Sequence, residues 1–154
     1  MTLETGSKIT AFDLPTDGGS NVSNETLKDR TVVLFFYPKA DTPGCTNEAK
    51  DFTALAADFA SAGAVVIGVS KDAVKKLQRF KEKHDLNVQL ASDETAGVTE
   101  AFGLWVEKSM YGKTYWGTER ATVLIDGDGI VRRVWRKVSV KGHAAEVLDA
   151  VKAL

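Results

Sequence analysis

Two seven-residue apolar runs, Thr31-Val32-Val33-Leu34-Phe35-Phe36-Tyr37 and Ala64-Val65-Val66-Ile67-Gly68-Val69-Ser70, constrain the fold more than any other feature of the chain. Neither run alternates with polar residues, so each reads as a central strand buried on both faces. Such a strand needs cover on each side. Between the runs, Phe52, Leu55, Ala56 and Phe59 recur at helical spacing, and this helix is expected to reach about Ala62 and stop at Gly63.

The remaining pattern extends this βαβ start. Phe12-Asp13-Leu14 reads as a short strand, Asp17-Gly18-Gly19-Ser20 as a turn, and Ser23 as the cap of a brief helix through Leu27. Val74, Leu77 and Phe80 mark a helix, Val88–Ala91 a short strand and Glu94–Phe102 a short helix. Residues 103–119 read as irregular, with Trp105, Tyr111, Tyr115 and Trp116 as either core or pocket wall. Arg120–Ile125 and Ile130–Val138 form a hairpin across Asp126-Gly127-Asp128-Gly129. Arginines fall in both phases of the second strand, which places it near an edge or twisted. Ala144, Val147, Leu148 and Val151 stripe a final core-facing helix. The order predicts one α/β domain over residues 1–154, with a central mixed sheet flanked by helices on both faces.

Charge and cysteine content narrow the function. The net charge is −1, with both signs interspersed, so no basic patch points to nucleic acid and no polybasic stretch to a membrane surface. Met1–Thr5 has no apolar signal core and no run reaches membrane-spanning length. The single cysteine excludes an internal disulfide and a multi-cysteine metal site. A reduced cytoplasmic setting is the expectation.

That cysteine closes Pro38-Lys39-Ala40-Asp41-Thr42-Pro43-Gly44-Cys45, the turn between the first strand and its helix. Pro43 suits the first helical position, where its missing N–H would be unpaired anyway, and Thr42 is the expected N-cap. Cys45 thus lies in the first helical turn. An isolated cysteine is more often a small buried hydrophobe, but a position just inside a helix start after a polar turn favours chemistry. A free thiol has a pKa near ~8.5, and lowering it to about 6 takes roughly 3.4 kcal/mol. A helix N-terminus supplies about 0.3–1 kcal/mol, rarely ~2. A cation from elsewhere in the chain is therefore required.

Other candidates carry less. His84 and His143 have no partner at metal-ligand spacing and read as solvated surface. Asp126-Gly127-Asp128-Gly129 matches the start of a calcium loop, but apolar Ile130 fills a position that should be polar. No Gly-rich nucleotide motif is present.

The spacing of Pro38, Thr42 and Cys45 at the end of an apolar strand resembles the peroxidatic signature of peroxiredoxins. Asp41-Thr42-Pro43-Gly44-Cys45-Thr46-Asn47-Glu48-Ala49, Met110-Tyr111-Gly112-Lys113-Thr114-Tyr115, Gly117-Thr118-Glu119-Arg120 and Leu124-Ile125-Asp126 resemble the bacterioferritin-comigratory, or peroxiredoxin Q, branch. The similarity runs in order over nearly the whole chain. It implies a thioredoxin-like fold and a thiol-dependent peroxidase acting on hydrogen peroxide and organic hydroperoxides, with no cofactor. It also supplies the cation, Arg120, which stays charged and offers a planar fork of donors. By this resemblance the catalytic set is Cys45, Thr42, Arg120, Pro38 and Glu48. Glu48, one helical turn after Cys45, would raise the thiol pKa if free, and is expected to be tied to Arg120 and orient it.

One departure matters. Many relatives carry a resolving cysteine five residues after the peroxidatic one, where Lys50 stands here, and others near Phe80 and Lys81, where none stands either. A one-cysteine cycle is implied, completed by an external thiol such as thioredoxin, glutaredoxin or glutathione, in a monomeric enzyme. The competing classes are a peroxide sensor or redox-regulated binding module oxidised at Cys45 without turnover, and a cysteine hydrolase. The hydrolase is weak because neither histidine sits in a motif that marks it as a base.

Overall fold

In the computed structural model, which describes residues 3–154, an antiparallel pair β1 (Asp13–Pro15) and β2 (Asn21–Ser23) precedes β3 (Thr31–Phe36), the first apolar run. There follow α1 (Pro43–Ala54), α2 (Ala56–Ser61), β4 (Ala64–Ser70), α3 (Val74–His84), β5 (Gln89–Ser92) and α4 (Gly97–Ala101). A hairpin of β6 (Trp105–Met110) and β7 (Lys113–Thr118), then β8 (Ala121–Ile125), β9 (Val131–Trp135) and α5 (His143–Lys152), follow in turn. The main sheet has the order β5-β4-β3-β8-β9. Its centre, β3, runs parallel to β4 and antiparallel to β8. This is the mixed sheet expected of a thioredoxin-like fold, and β9, with its arginines in both phases, is an edge strand.

Both faces of β3 are buried, as its unbroken apolar run requires. Val33, Phe35 and Tyr37 pack into one core with Ala49 and Phe52 of α1, Leu77 and Phe80 of α3, and Val147 of α5. Val32, Leu34 and Phe36 pack into the other with Leu14, Val22, Phe102 and Leu104. The Phe35 ring stacks on Phe52 at 4.5 Å between centroids and on Tyr37 at 5.6 Å. Gly68 lies opposite Phe35 in register and gives the ring its room. A Cβ at this position would stand 2.6 Å from Phe35 Cζ.

Several boundaries differ from expectation. The helix from Pro43 is two helices, because the Leu55 N–H turns to the Phe52 carbonyl three residues back and tightens the last turn of α1. No helix follows Ser23. Its N–H donates to Thr26 Oγ1 and its Oγ accepts from the Thr26 N–H, but left-handed Asp29 (φ 66°) ends the turn at once. The largest difference is at 103–119, where a regular hairpin stands in place of irregular chain. Tyr111 (φ 52°) and Gly112 (φ 77°) close it, with positive φ at both turn positions as a two-residue hairpin prefers. Tyr111, Tyr115 and Trp116 are exposed, so these aromatics are neither core nor the wall of a closed pocket. Among the described residues no helix is long and apolar enough to cross a membrane.

Gly68→Ala should destabilise the protein by about 1–3 kcal/mol, since Phe35 is enclosed and cannot swing aside. Urea unfolding measures this directly. A midpoint equal to that of the parent would show that the ring stack does not depend on close approach at Gly68.

Candidate active site

The turn after β3 is held from three sides. The Tyr37 N–H still pairs with the Val69 carbonyl at 3.1 Å, and Pro38, without an N–H, cannot extend the ladder. The Ala40 N–H then donates to Asp72 Oδ2 at 2.7 Å, an oxygen that also accepts from Ser70 Oγ at 2.8 Å. Asp41, in the left-handed region at φ 64°, meets His84 Nε2 at 2.7 Å and Lys83 Nζ at 2.9 Å. The His84 bond, then the Lys83 bond, hold the Asp41 carboxyl below the usual carboxylate range. His84 is therefore a partner of the site loop and not a free surface group.

Thr42 occupies the N-cap position with extended backbone (φ −98°, ψ 155°), and its carbonyl accepts from the Thr46 N–H at 2.8 Å. Its hydroxyl does not cap the helix as expected. It donates to the Lys39 carbonyl at 2.7 Å, which ties the turn to itself and leaves the oxygen lone pairs as acceptors. Pro43 opens α1, which places Cys45 in its first turn.

Cys45 is only 1% exposed, and Arg120 Nη2 donates to its sulfur at 3.3 Å. Nη1 of the same guanidinium donates to Glu48 Oε1 at 2.7 Å. One planar fork thus spans the thiol and the carboxylate. Gly44 permits the approach, for a Cβ there would stand 3.2 Å from Nη2. Arg120 is fixed by its own backbone, whose carbonyl accepts from the Val138 N–H at 3.0 Å, and by Glu119 beside it. Glu119 takes a two-pronged bond from Arg136, with both contacts at 2.8 Å. Glu48 Oε2 is buried without a hydrogen-bond partner, and burial pushes the Glu48 carboxyl up to about 7 against the pull of Arg120.

Cys45, Glu48 and Arg120 therefore converge, while Thr42 and Pro38 line the turn without bonding to that trio. Two features had no sequence signal. His143, read as surface, is buried; it bonds Thr122 Oγ1 at 2.7 Å and meets the edge of Phe52, and desolvation lowers its pKa. Lys108 of β6 is a second cation within electrostatic reach of Cys45, Arg120 and Glu119. A reading of 103–119 as irregular chain could not place it. Chemically, a guanidinium fixed on an enclosed sulfur can stabilise negative charge that develops there in a reaction.

The Glu48 carboxyl has a measurable consequence. Its folded-state pKa lies above its unfolded value, so the folded protein binds more protons between about 4.5 and about 7. Stability falls as pH rises through that window. Glu48→Gln lacks this titration and should gain stability relative to the parent between pH 5 and pH 8. Urea midpoints of the pair at both pH values test it, and a constant difference would contradict the raised carboxyl.

The chain is similar to proteins of known family. Residues 5–134 match the AhpC/TSA family. The chain is 49% identical over 148 residues to the putative peroxiredoxin bcp of Coxiella burnetii, covering 96% of this chain and 98% of that one. It is 46% identical over 152 residues to peroxiredoxin Bcp of Bacillus subtilis, covering 99% and 97%. A solved structure of the Xanthomonas campestris bacterioferritin comigratory protein, described for its alkyl peroxide reduction activity, superposes with a TM-score of 0.88 at 42% identity. That superposition covers 92% of this chain and 90% of the other. With the thioredoxin-like sheet, the cysteine at the helix start and the guanidinium on its sulfur already in place, the chain belongs to the AhpC/TSA family and, within it, to the Bcp or Q branch of the peroxiredoxins, an enzyme family of thiol-dependent peroxidases.

Proposed function

We propose that the Cys45 thiolate reduces hydrogen peroxide and organic hydroperoxides in a one-cysteine cycle completed by an external thiol. The observation that carries this reading is the 3.3 Å contact between Arg120 Nη2 and the Cys45 sulfur. The thiolate attacks the hydroxyl-bearing oxygen of the peroxide, the O–O bond breaks, and Cys45 becomes a sulfenic acid. Negative charge moves from sulfur to the departing oxygen, and a guanidinium already beside the sulfur needs no reorganisation to follow it.

The other residues take supporting roles. The Thr42 hydroxyl, its proton committed to Lys39, accepts a hydrogen bond from the peroxide O–H and orients the attacked oxygen. Glu48 fixes the guanidinium plane through Oε1. Pro38 closes the turn without adding a backbone donor that would compete for the substrate. The sulfenic acid is then reduced by an external thiol such as thioredoxin, glutaredoxin or glutathione, because the chain contains one cysteine and Lys50 is exposed on α1 where many relatives carry a second.

Peroxide decay under multiple turnover, with each candidate thiol supplied in excess, tests the cycle. The parent should consume many equivalents of peroxide per chain, and Cys45→Ser should fall to background with its fold intact. Consumption that stops at one equivalent with every thiol would reject turnover and favour a sensor. Thiol-dependent turnover by Cys45→Ser would reject the assignment of the nucleophile.

A further inference from the structure

Attack by Cys45 leaves an alkoxide or hydroxide, and the groups described so far do not protonate it. Arg120 stays charged at any working pH. The Thr42 hydroxyl spends its proton on Lys39. Glu48 meets Arg120 through one oxygen, and its other oxygen is enclosed. The Tyr37 hydroxyl is also fully enclosed, and burial raises its pKa far above the ordinary phenol value. A side-chain proton donor for the departing oxygen has to come from outside this group.

The β6–β7 hairpin supplies one. Strand alternation puts Val106, Lys108 and Met110 on a single face, with Tyr115 opposite Lys108 and Gly117 opposite Val106. The Lys108 stem runs across Gly117, where a Cβ would stand 3.4 Å from its Cδ and 3.6 Å from its Cε. It is thereby directed along β7 toward Glu119 and Arg120. The ammonium is half-buried and within electrostatic reach of Cys45, Arg120 and Glu119.

We propose that Lys108 donates the proton that neutralises the leaving oxygen, a role that rests on the peroxidase reading of Cys45. The sulfur forms its bond to the hydroxyl-bearing oxygen, the O–O electron pair departs on the other oxygen as RO⁻, and one N–H proton of Lys108 passes to it. The products are Cys45–SOH, ROH and a neutral amine, which regains its proton from water. Desolvation, and then the charge of Arg120, lower the Lys108 pKa, and both make it a better acid.

The dependence on leaving group separates proton donation from charge. Stopped-flow oxidation of Cys45 is followed with tert-butyl hydroperoxide, whose alkoxide is a poor leaving group, and with peracetic acid, whose carboxylate needs no proton. Lys108→Met should slow the first about a hundredfold or more and the second by no more than about threefold. Lys108→Arg keeps the charge without a transferable proton and should match Lys108→Met with tert-butyl hydroperoxide. Equal slowing with both peroxides, or full rescue by arginine, would overturn the proposal and leave Lys108 as a positive charge only. Failure of the parent to oxidise with either peroxide would instead overturn the peroxidase reading beneath it.

Discussion

One guanidinium shared between a sulfur and a carboxylate, all largely withdrawn from water, is the interaction on which the rest of the site depends. Burying charge is costly unless each charged group finds a partner. Arg120 answers for two groups at once, with one nitrogen on Cys45 and the other on Glu48. A lysine could not do this, because a single ammonium lacks the fork. The arrangement also sets a balance. Arg120 carries one positive charge, and full ionisation of both the thiol and the Glu48 carboxyl would leave a net negative charge in a buried place. Burial outweighs Arg120 at Glu48 and drives its carboxyl up to about 7, which shows how tight that balance is.

The fold brings these groups together across 75 residues of sequence through strand order. β8 pairs with β3 so that Ala121 lies opposite Phe36, which puts Arg120 at the same sheet end where the chain leaves β3 for α1. The central position of β3, demanded by its two apolar faces, therefore determines where the arginine meets the cysteine. The turn between them is stiffened by Asp72 from beneath and by Lys83 and His84 at the end of α3. Those bonds place Cys45 without strain in the helix itself, since Pro43 and Gly44 ask nothing unusual of the backbone there.

The central strands, the helix start at Pro43 and the core stripe of α5 were legible in the sequence because each is dictated by short-range pattern: burial on both faces, proline at the first helical position, and 3.6-residue periodicity. The tie between Glu48 and Arg120 follows once the family resemblance supplies Arg120, because a free carboxylate one helical turn from Cys45 would oppose a thiolate there. The rest depends on long-range packing. β6 and β7 form a separate, largely exposed ribbon, so their residues show no apolar alternation. His143 looks like a surface residue at a helix start until α5 docks over β8 and Phe52. The Lys108 stem lies over Gly117 only because β6 and β7 pair in this hairpin.

Glu48 supports the reactivity of Cys45 through Arg120, by holding the guanidinium on the sulfur. A double-mutant cycle on the rate of Cys45 oxidation by hydrogen peroxide, with Glu48→Gln, Arg120→Met and the pair, tests it most directly. Arg120→Met alone should slow oxidation strongly and Glu48→Gln more modestly. In the Arg120→Met background, the added Glu48→Gln change should not slow oxidation further, and any effect should be an acceleration, because it removes an unpaired carboxyl close to the thiol. Independent effects that multiply in the double variant would contradict the account, because Glu48 would then support the sulfur by a route that does not pass through the guanidinium.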